Sequence, residues 1–184
     1  MRAVIVVDMV RGFMESGHAL YGGEACRAII SATRSFLERE RADGSLLVFL
    51  ADTHDPDDLE FRMFPPHCVR GTAETEVIPE LSDLASDAIV VPKRRYSGFF
   101  DTPLEVVLRD RDVRSVAIVG VMTDICVLHT AADLRNRDYS TVVVTDCVAS
   151  FDPAGHAFAL EHMRAILGAR LTTSAELAAA PIVD

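Results

Sequence analysis

Short apolar runs rich in β-branched residues recur along the chain at residues 3–7, 46–50, 88–91, 115–119 and 141–144. They are apolar along their length rather than alternating, as in strands buried on both faces of a parallel sheet. Between them, apolar positions at helical spacing predict helices over 24–41, 103–109, 124–135 and 153–167. The last carries an explicit start signal, Asp152 as N-cap with Pro153 at the first helical position. A final short strand is predicted at 169–172. Strand and helix alternating in this way predict an α/β fold, a three-layer α/β/α sandwich of Rossmann-like character around a mainly parallel sheet. No Gly/Ser/Pro linker or internal repeat divides the chain, so residues 1–184 are expected to form a single domain.

Composition narrows the function classes. A chain of 184 residues that is 49% hydrophobic can bury one sizeable core. The net charge of −10 argues against a nucleic-acid surface. No apolar run reaches membrane-spanning length, and Asp8 interrupts the only apolar stretch near the N-terminus, so neither a membrane anchor nor a signal peptide is expected. Cys26, Cys68, Cys126 and Cys147 show no framework spacing and no CxxC pair. Reduced thiols in a cytoplasmic protein are the expectation.

In open α/β sheets, ligands bind beyond the carboxyl ends of the strands. Asp8 ends the first predicted strand, Asp52 and His54 follow the second, Lys93 the third and Cys126 the fourth. The stretch Gly120-Val121-Met122-Thr123-Asp124-Ile125-Cys126 reads as strand, tight turn and helix, with Thr123 or Asp124 as N-cap and the cysteine in the first turn. Free N–H groups and the helix dipole there would favour a thiolate, although a buried structural cysteine reads equally well from this window alone. With Asp8 as base and Lys93 as charge stabiliser, the thiolate would attack an amide carbon, the oxyanion resting on the backbone N–H groups of Met122 and Cys126. A competing pairing joins Cys126 to His129, which reads better as a packed or capping histidine.

A second constellation lies between Asp52 and His67. Asp52 and His54 point to one side of an extended backbone, His67 returns after a loop, and Glu60 is a fourth candidate. Two imidazoles with one or two carboxylates suit a divalent metal ion, zinc foremost, with iron or manganese as alternatives. The competing reading is an acidic solvated loop with incidental histidines. Asp55, Asp57 and Asp58 are expected to be solvated charges or helix caps.

Taken together, Val6-Val7-Asp8-Met9, Gly12-Phe13, Asp52-Thr53-His54, Pro65-Pro66-His67-Cys68-Val69-Arg70-Gly71-Thr72, Lys93-Arg94-Arg95-Tyr96-Ser97-Gly98-Phe99-Phe100 and the Gly120–Cys126 stretch carry a resemblance. The chain resembles the isochorismatase-like cysteine hydrolases over residues 2–171, and within them the nicotinamidases. The resemblance implies a triad of Asp8, Lys93 and Cys126, a cis peptide between Val121 and Met122, and a metal held by Asp52, His54 and His67 with Glu60 in place of a further histidine. It implies Phe13, Phe64 and Tyr96 as walls for a flat heteroaromatic amide. Phe99 and Phe100 read as packing residues, and Cys68, pointing away from the adjacent His67 in extended backbone, reads as structural. The implied reaction is hydrolysis of nicotinamide to nicotinate and ammonia, which would serve NAD salvage. Related activities on other small amides or carbamoyl compounds, and a non-enzymatic ligand-binding role, are the alternatives. A homo-oligomer is compatible with the family, without an interface legible in the sequence. Two departures stand out: Val10 and Gly12 occupy positions where many relatives carry Gln and Asp, expected near the pocket entrance.

Overall fold

The computed structural model describes residues 1–179. Strands β1 (Arg2–Val7), β2 (Leu46–Asp52), β3 (Ile89–Lys93), β4 (Ser115–Val121), β5 (Ser140–Ala149) and β6 (Arg170–Thr172) form one sheet, ordered β3-β2-β1-β4-β5-β6. Every pairing is parallel. The helices are α1 (Arg11–Met14), α2 (Gly23–Ala28), α3 (Ile30–Ala42), α4 (Ser82–Ser86), α5 (Leu104–Arg109), α6 (Leu128–Arg135), α7 (Pro153–Ala165) and α8 (Ser174–Ala179). Alternate residues of β1 divide between two cores. Val4 and Val6 pack with Phe36 and Leu37 of α3 and Leu84 of α4, while Ile5 and Val7 pack with Leu104 of α5, Leu134 of α6 and Met163 of α7. Helices therefore cover both faces, which is why β1 and β4 read as unbroken apolar runs.

The elements depart from the sequence reading where tertiary contacts outweigh local pattern. β3 is an edge strand whose residues alternate between core and solvent, and Val90 is 46% exposed. Pro92 is tolerated there because an edge position can spare its N–H. The expected helix 24–41 is interrupted at Ile29, between α2 and α3. β2 and β3 run on to Asp52 and Lys93, polar residues paired with each other in register and buried. The start signal at α7 behaves as expected: Asp152 accepts from the Ala154 and Gly155 amides at 3.0 and 3.1 Å.

The strand order reverses at β1, where one neighbour is β2 and the other β4. Crevices at such points, beyond the carboxyl ends of the strands, are where ligands bind. Gly120, near the end of β4, pairs with Val7 at the end of β1 at a φ of +110°. A Cβ at Gly120 would lie 2.0 Å from the Val7 carbonyl oxygen. Only glycine allows both this backbone conformation and this approach, and the approach brings together the turns that follow β1 and β4. Gly120→Ala is expected to destabilise the protein by more than about 2 kcal/mol, read from the urea midpoint. A shift equivalent to under about 0.5 kcal/mol would show that the close approach is dispensable.

Candidate active site

Asp8 follows β1 directly and turns the chain with a φ of +51°, a left-handed conformation that non-glycine residues hold where surroundings enforce it. Its amide donates to the Leu50 carbonyl at 3.0 Å, so the turn is anchored to β2 while the side chain is fully buried. Lys93 reaches across from the end of β3. Its Nζ lies 2.8 Å from Asp8 Oδ2 and donates to Asp52 Oδ1 at 3.0 Å and to Cys126 Sγ at 3.5 Å. One ammonium thus touches a carboxylate from β1, a carboxylate from β2 and the thiol that follows β4. Neither Asp8 oxygen has a well-angled hydrogen bond, although Oδ2 sits at ion-pair distance from Lys93. The carboxylate is held by charge without being saturated, which leaves acceptor capacity for the Cys126 proton.

Burial sets the protonation states. It pushes the Asp8 carboxyl up to about 6, against the opposing pull of Lys93. Burial opposes the charge on Asp52 as well, but Lys93, His54 and His67 prevail and hold that carboxyl well below the usual range. Lys93 stays firmly charged, its burial outweighed by Asp52, Asp8 and Cys126. Burial also drives the Cys126 thiol well above its ordinary value, with Lys93 only partly offsetting it. Burial and the helix-terminus effect thus pull the Cys126 proton in opposite directions, and burial favours a thiol beside a carboxylate of raised basicity.

The segment bearing Cys126 differs from the expected capped helix. Thr123–Val127 forms a π-helical turn before α6, with the Met122 carbonyl accepting from the Ile125 and Val127 amides at 3.1 Å each. Thr123 and Asp124 do not cap it. Both are recruited into tertiary bonds: Asp124 accepts from Ser150 Oγ at 2.6 Å, and Thr123 Oγ1 lies 2.9 Å from His156 Nδ1. These contacts tie the turn to the start of α7, where Gly155 leaves room for the Asp124 carboxylate; a Cβ there would lie 2.3 Å from Oδ2. The peptide between Val121 and Met122 is cis.

Asp52, His54 and His67 converge, with one ligand atom of each within 4.8 Å of the others. His54 Nε2 lies 3.0 Å from Asp52 Oδ2, and His67 Nε2 lies 3.3 Å from the same oxygen. The far side of each ring fixes its orientation. His67 Nδ1 lies 2.8 Å from the Pro65 carbonyl, an acceptor only, so that nitrogen carries the proton. His54 Nδ1 lies 3.1 Å from the Asp58 carboxylate, so both of its ring nitrogens face carboxylate oxygens. The two Nε2 atoms and a carboxylate oxygen then point at one another, an arrangement that a proton or a cation among them stabilises. Burial disfavours the imidazolium form, yet Asp52 raises the pKa of both histidines. The donor set fits a divalent cation, with hydrogen-bonded partners that orient each imidazole.

Both constellations open on one cavity of about 300 Å³. Its walls include Phe13, Phe64, Tyr96, Met122, Ile125 and Cys126, with Asp52, His67 and Glu60 on the polar side. Phe13 and Phe64 stand 5.8 and 6.4 Å from the His67 ring. Glu60 faces the same cavity but stands outside the three-residue cluster, 3.6 Å from Arg95. His129 donates from Nδ1 to the Ile125 carbonyl at 2.7 Å and packs against Tyr96, the role of a capping histidine. Val10 and Gly12 are buried away from the cavity walls. Val10 bridges to Val77, and a Cβ on Gly12 would meet Cys68 Sγ and Glu74, so neither sits at the entrance. Phe99 packs under Arg137, whereas Phe100 is 48% exposed with the Arg94 guanidinium over its ring. Burial pushes Cys26 and Cys147 up to about 11 and about 12, which keeps these thiols unreactive.

Three residues beside this site escaped the sequence reading. Asp58 caps the 3₁₀ turn Leu59–Arg62 through the Glu60 amide, as expected of a cap, but its side chain is buried against His54 rather than solvated. Phe61 packs on both imidazoles, 5.3 Å from His54 and 5.6 Å from His67. Arg95 holds Asp58. Only an Asp two residues before a Glu at a turn start hinted at any of this.

An isochorismatase domain model matches residues 2–176. The nicotinamidase/pyrazinamidase of Mycobacterium tuberculosis is 36% identical over 182 residues, covering 89% of this chain and 95% of its own length. The structure of a nicotinamidase from Bacillus subtilis superposes with a TM-score of 0.88 at 38% identity, covering 93% of this chain and 98% of the other. The pyrazinamidase of Pyrococcus horikoshii in complex with zinc gives a TM-score of 0.86 at 33% identity, covering 94% and 98%.

If His54 and His67 bind a cation through Nε2, protons compete for the same lone pairs. Because Asp52 raises both imidazoles, the competition begins above their ordinary pKa. Zinc affinity measured calorimetrically is expected to fall by about tenfold to a hundredfold per pH unit on acidification, with the fall setting in above about 6.5. A flat affinity over that window would remove the imidazoles from the ligand set.

Proposed function

This chain belongs to the isochorismatase-domain family, and we propose that within it the protein is a metal-assisted cysteine amidohydrolase that converts nicotinamide to nicotinate and ammonia. The observation that carries the proposal is the shared cavity: a thiol tied through one ammonium to an unsaturated carboxylate on one side, and a convergent Asp-His-His donor set on the other. The resemblance to nicotinamidases and pyrazinamidases supports a pyridine- or pyrazine-type carboxamide as substrate.

Asp8 takes the Cys126 proton as Sγ forms a bond to the amide carbon. Its carboxyl, raised to about 6, is basic enough for the task and ionised at neutral pH. The developing thiolate is met by Lys93, 3.5 Å from Sγ, so the charge that burial disfavours at rest is stabilised as it appears. The carbonyl oxygen becomes an oxyanion held by the Met122 and Cys126 amides. Protonated Asp8 gives its proton to the departing nitrogen, the C–N bond breaks, and ammonia leaves a thioester on Cys126. Water, deprotonated by Asp8, adds to the thioester; the C–S bond breaks and the thiol recovers its proton, releasing the acid. The ring lies among Phe13, Phe64 and Tyr96, whose faces contribute about 0.5–1.5 kcal/mol each beyond area burial. Asp52, His54 and His67 would hold the divalent ion, zinc in the first instance, with Glu60 nearby on the same wall. When bound, the ion supplies a Lewis-acid contact for the ring nitrogen and withdraws electron density from the ring.

Cys126→Ala is expected to lower ammonia release from nicotinamide by at least about three orders of magnitude with an unchanged circular dichroism spectrum. Turnover within about tenfold of the parent enzyme would rule out the sulfur as nucleophile. Release of ammonia from carbamoyl compounds but not from nicotinamide would keep the triad and overturn the substrate.

A further inference from the structure

We propose that Arg95 is a positioning residue of the divalent-cation site, acting on His54 through Asp58; this rests on the cation reading given above. Arg95 follows the end of β3 by two residues, beside the cavity-lining Tyr96. Its guanidinium donates to both oxygens of Asp58, at 2.9 and 3.0 Å, and also to the Arg94 carbonyl. Asp58 is buried, its side chain only 4% exposed, whereas the Arg95 side chain is 29% exposed. A carboxylate enclosed in this way needs donors and a counter-charge to hold its place, and Arg95 supplies both.

The consequence reaches the cluster through one ring. Asp58 Oδ2 accepts the proton of His54 Nδ1, while Oδ1 accepts the Glu60 amide at 2.9 Å. Clamped on two sides, Asp58 holds the His54 ring so that Nε2 faces Asp52 Oδ2 at 3.0 Å. Without the guanidinium, Asp58 loses the bonds to both of its oxygens that Arg95 makes, and the His54 ring loses its fixed support. Arg95 also lies 3.6 Å from Glu60 Oε2, which keeps this carboxylate on the cavity wall. The two effects on cation binding have opposite signs: loss of Arg95 frees Glu60 as an extra donor but unfixes His54. Asp58 holds His54 through a direct hydrogen bond, whereas Glu60 is only at ion-pair distance from Arg95, so the loss dominates.

The test measures zinc affinity of the full-length, chelator-stripped protein by competition with a chromogenic chelator. Arg95→Ala is expected to weaken zinc binding about 10- to 100-fold. Asp58→Asn should weaken it to a similar extent, and the double variant Asp58→Asn/Arg95→Ala no further than Asp58→Asn alone, because Arg95 acts through Asp58. If the alanine variant does not fold, Arg95→Gln carries the same comparison, removing the charge while keeping a donor. Affinity unchanged or tightened by the loss of Arg95, or a fully additive loss in the double variant, overturns the proposal. A parent protein that binds no zinc overturns the cation reading and this role with it, an outcome distinct from a parent that binds zinc and is indifferent to Arg95.

Discussion

The Lys93 ammonium is the interaction on which the rest of the site depends. It is buried at the carboxyl end of β3, yet it touches groups delivered by β1, β2 and the turn after β4. Two buried carboxylates, Asp8 and Asp52, share this one cation. A pair of such carboxylates without a counter-charge would expel one charge by taking up a proton, and with it they divide the work. Asp52, helped by two imidazoles, stays ionised far below neutrality, while Asp8 is left basic enough to exchange a proton with sulfur. One side chain thereby sets the charge of the candidate cation site and the basicity of the carboxylate proposed as the base together.

The fold supplies this convergence by topology. The strand order reverses at β1, and the crevice that opens there receives the turns after β1 and β4, pressed together by the bare backbone of Gly120. β2 and β3, lying in register, bring Asp52 and Lys93 to the same rim. The loop after β2 then carries His54 and His67 over the cavity, and its outer residues hold those rings in orientation. The proposed nucleophile thus stands on the sheet's central seam, and the candidate cation site on its flank. A flat aromatic amide between them would meet both at once.

Much of this was legible in the sequence because the signals are local. Unbroken apolar runs marked β1, β2 and β4, Asp152-Pro153 marked the start of α7, and ionisable residues just past the strands marked the rim. What escaped depended on partners distant in sequence. β3 looked like its buried neighbours, since Pro92, its one edge signal, lay just past the expected run 88–91. Thr123 and Asp124 have the chemistry of caps, but Ser150 and His156 claim them. Asp58 looked like one acidic residue among several in a polar loop, and only Arg95, far along the chain, makes it a buried partner of His54. The pull of burial on the Cys126 proton escaped for a related reason: a helix-terminus argument counts local dipoles, whereas the whole sheet supplies the burial.

The central claim is that Lys93 neutralises two carboxylates that could not otherwise both be buried. Its most direct test is the stability of Lys93→Met against the parent protein as a function of pH. Removing one partner of a buried ionic group costs about 3–5 kcal/mol near neutrality. Asp8 already has a raised pKa, which loss of the ammonium raises further. The variant's Asp8 therefore takes up its proton at a higher pH than the parent's, and the penalty should shrink as pH falls towards about 6, where the parent's Asp8 becomes neutral as well. A penalty of several kcal/mol that declines on acidification is the expected result. A loss below about 1 kcal/mol, or one indifferent to pH, would contradict it.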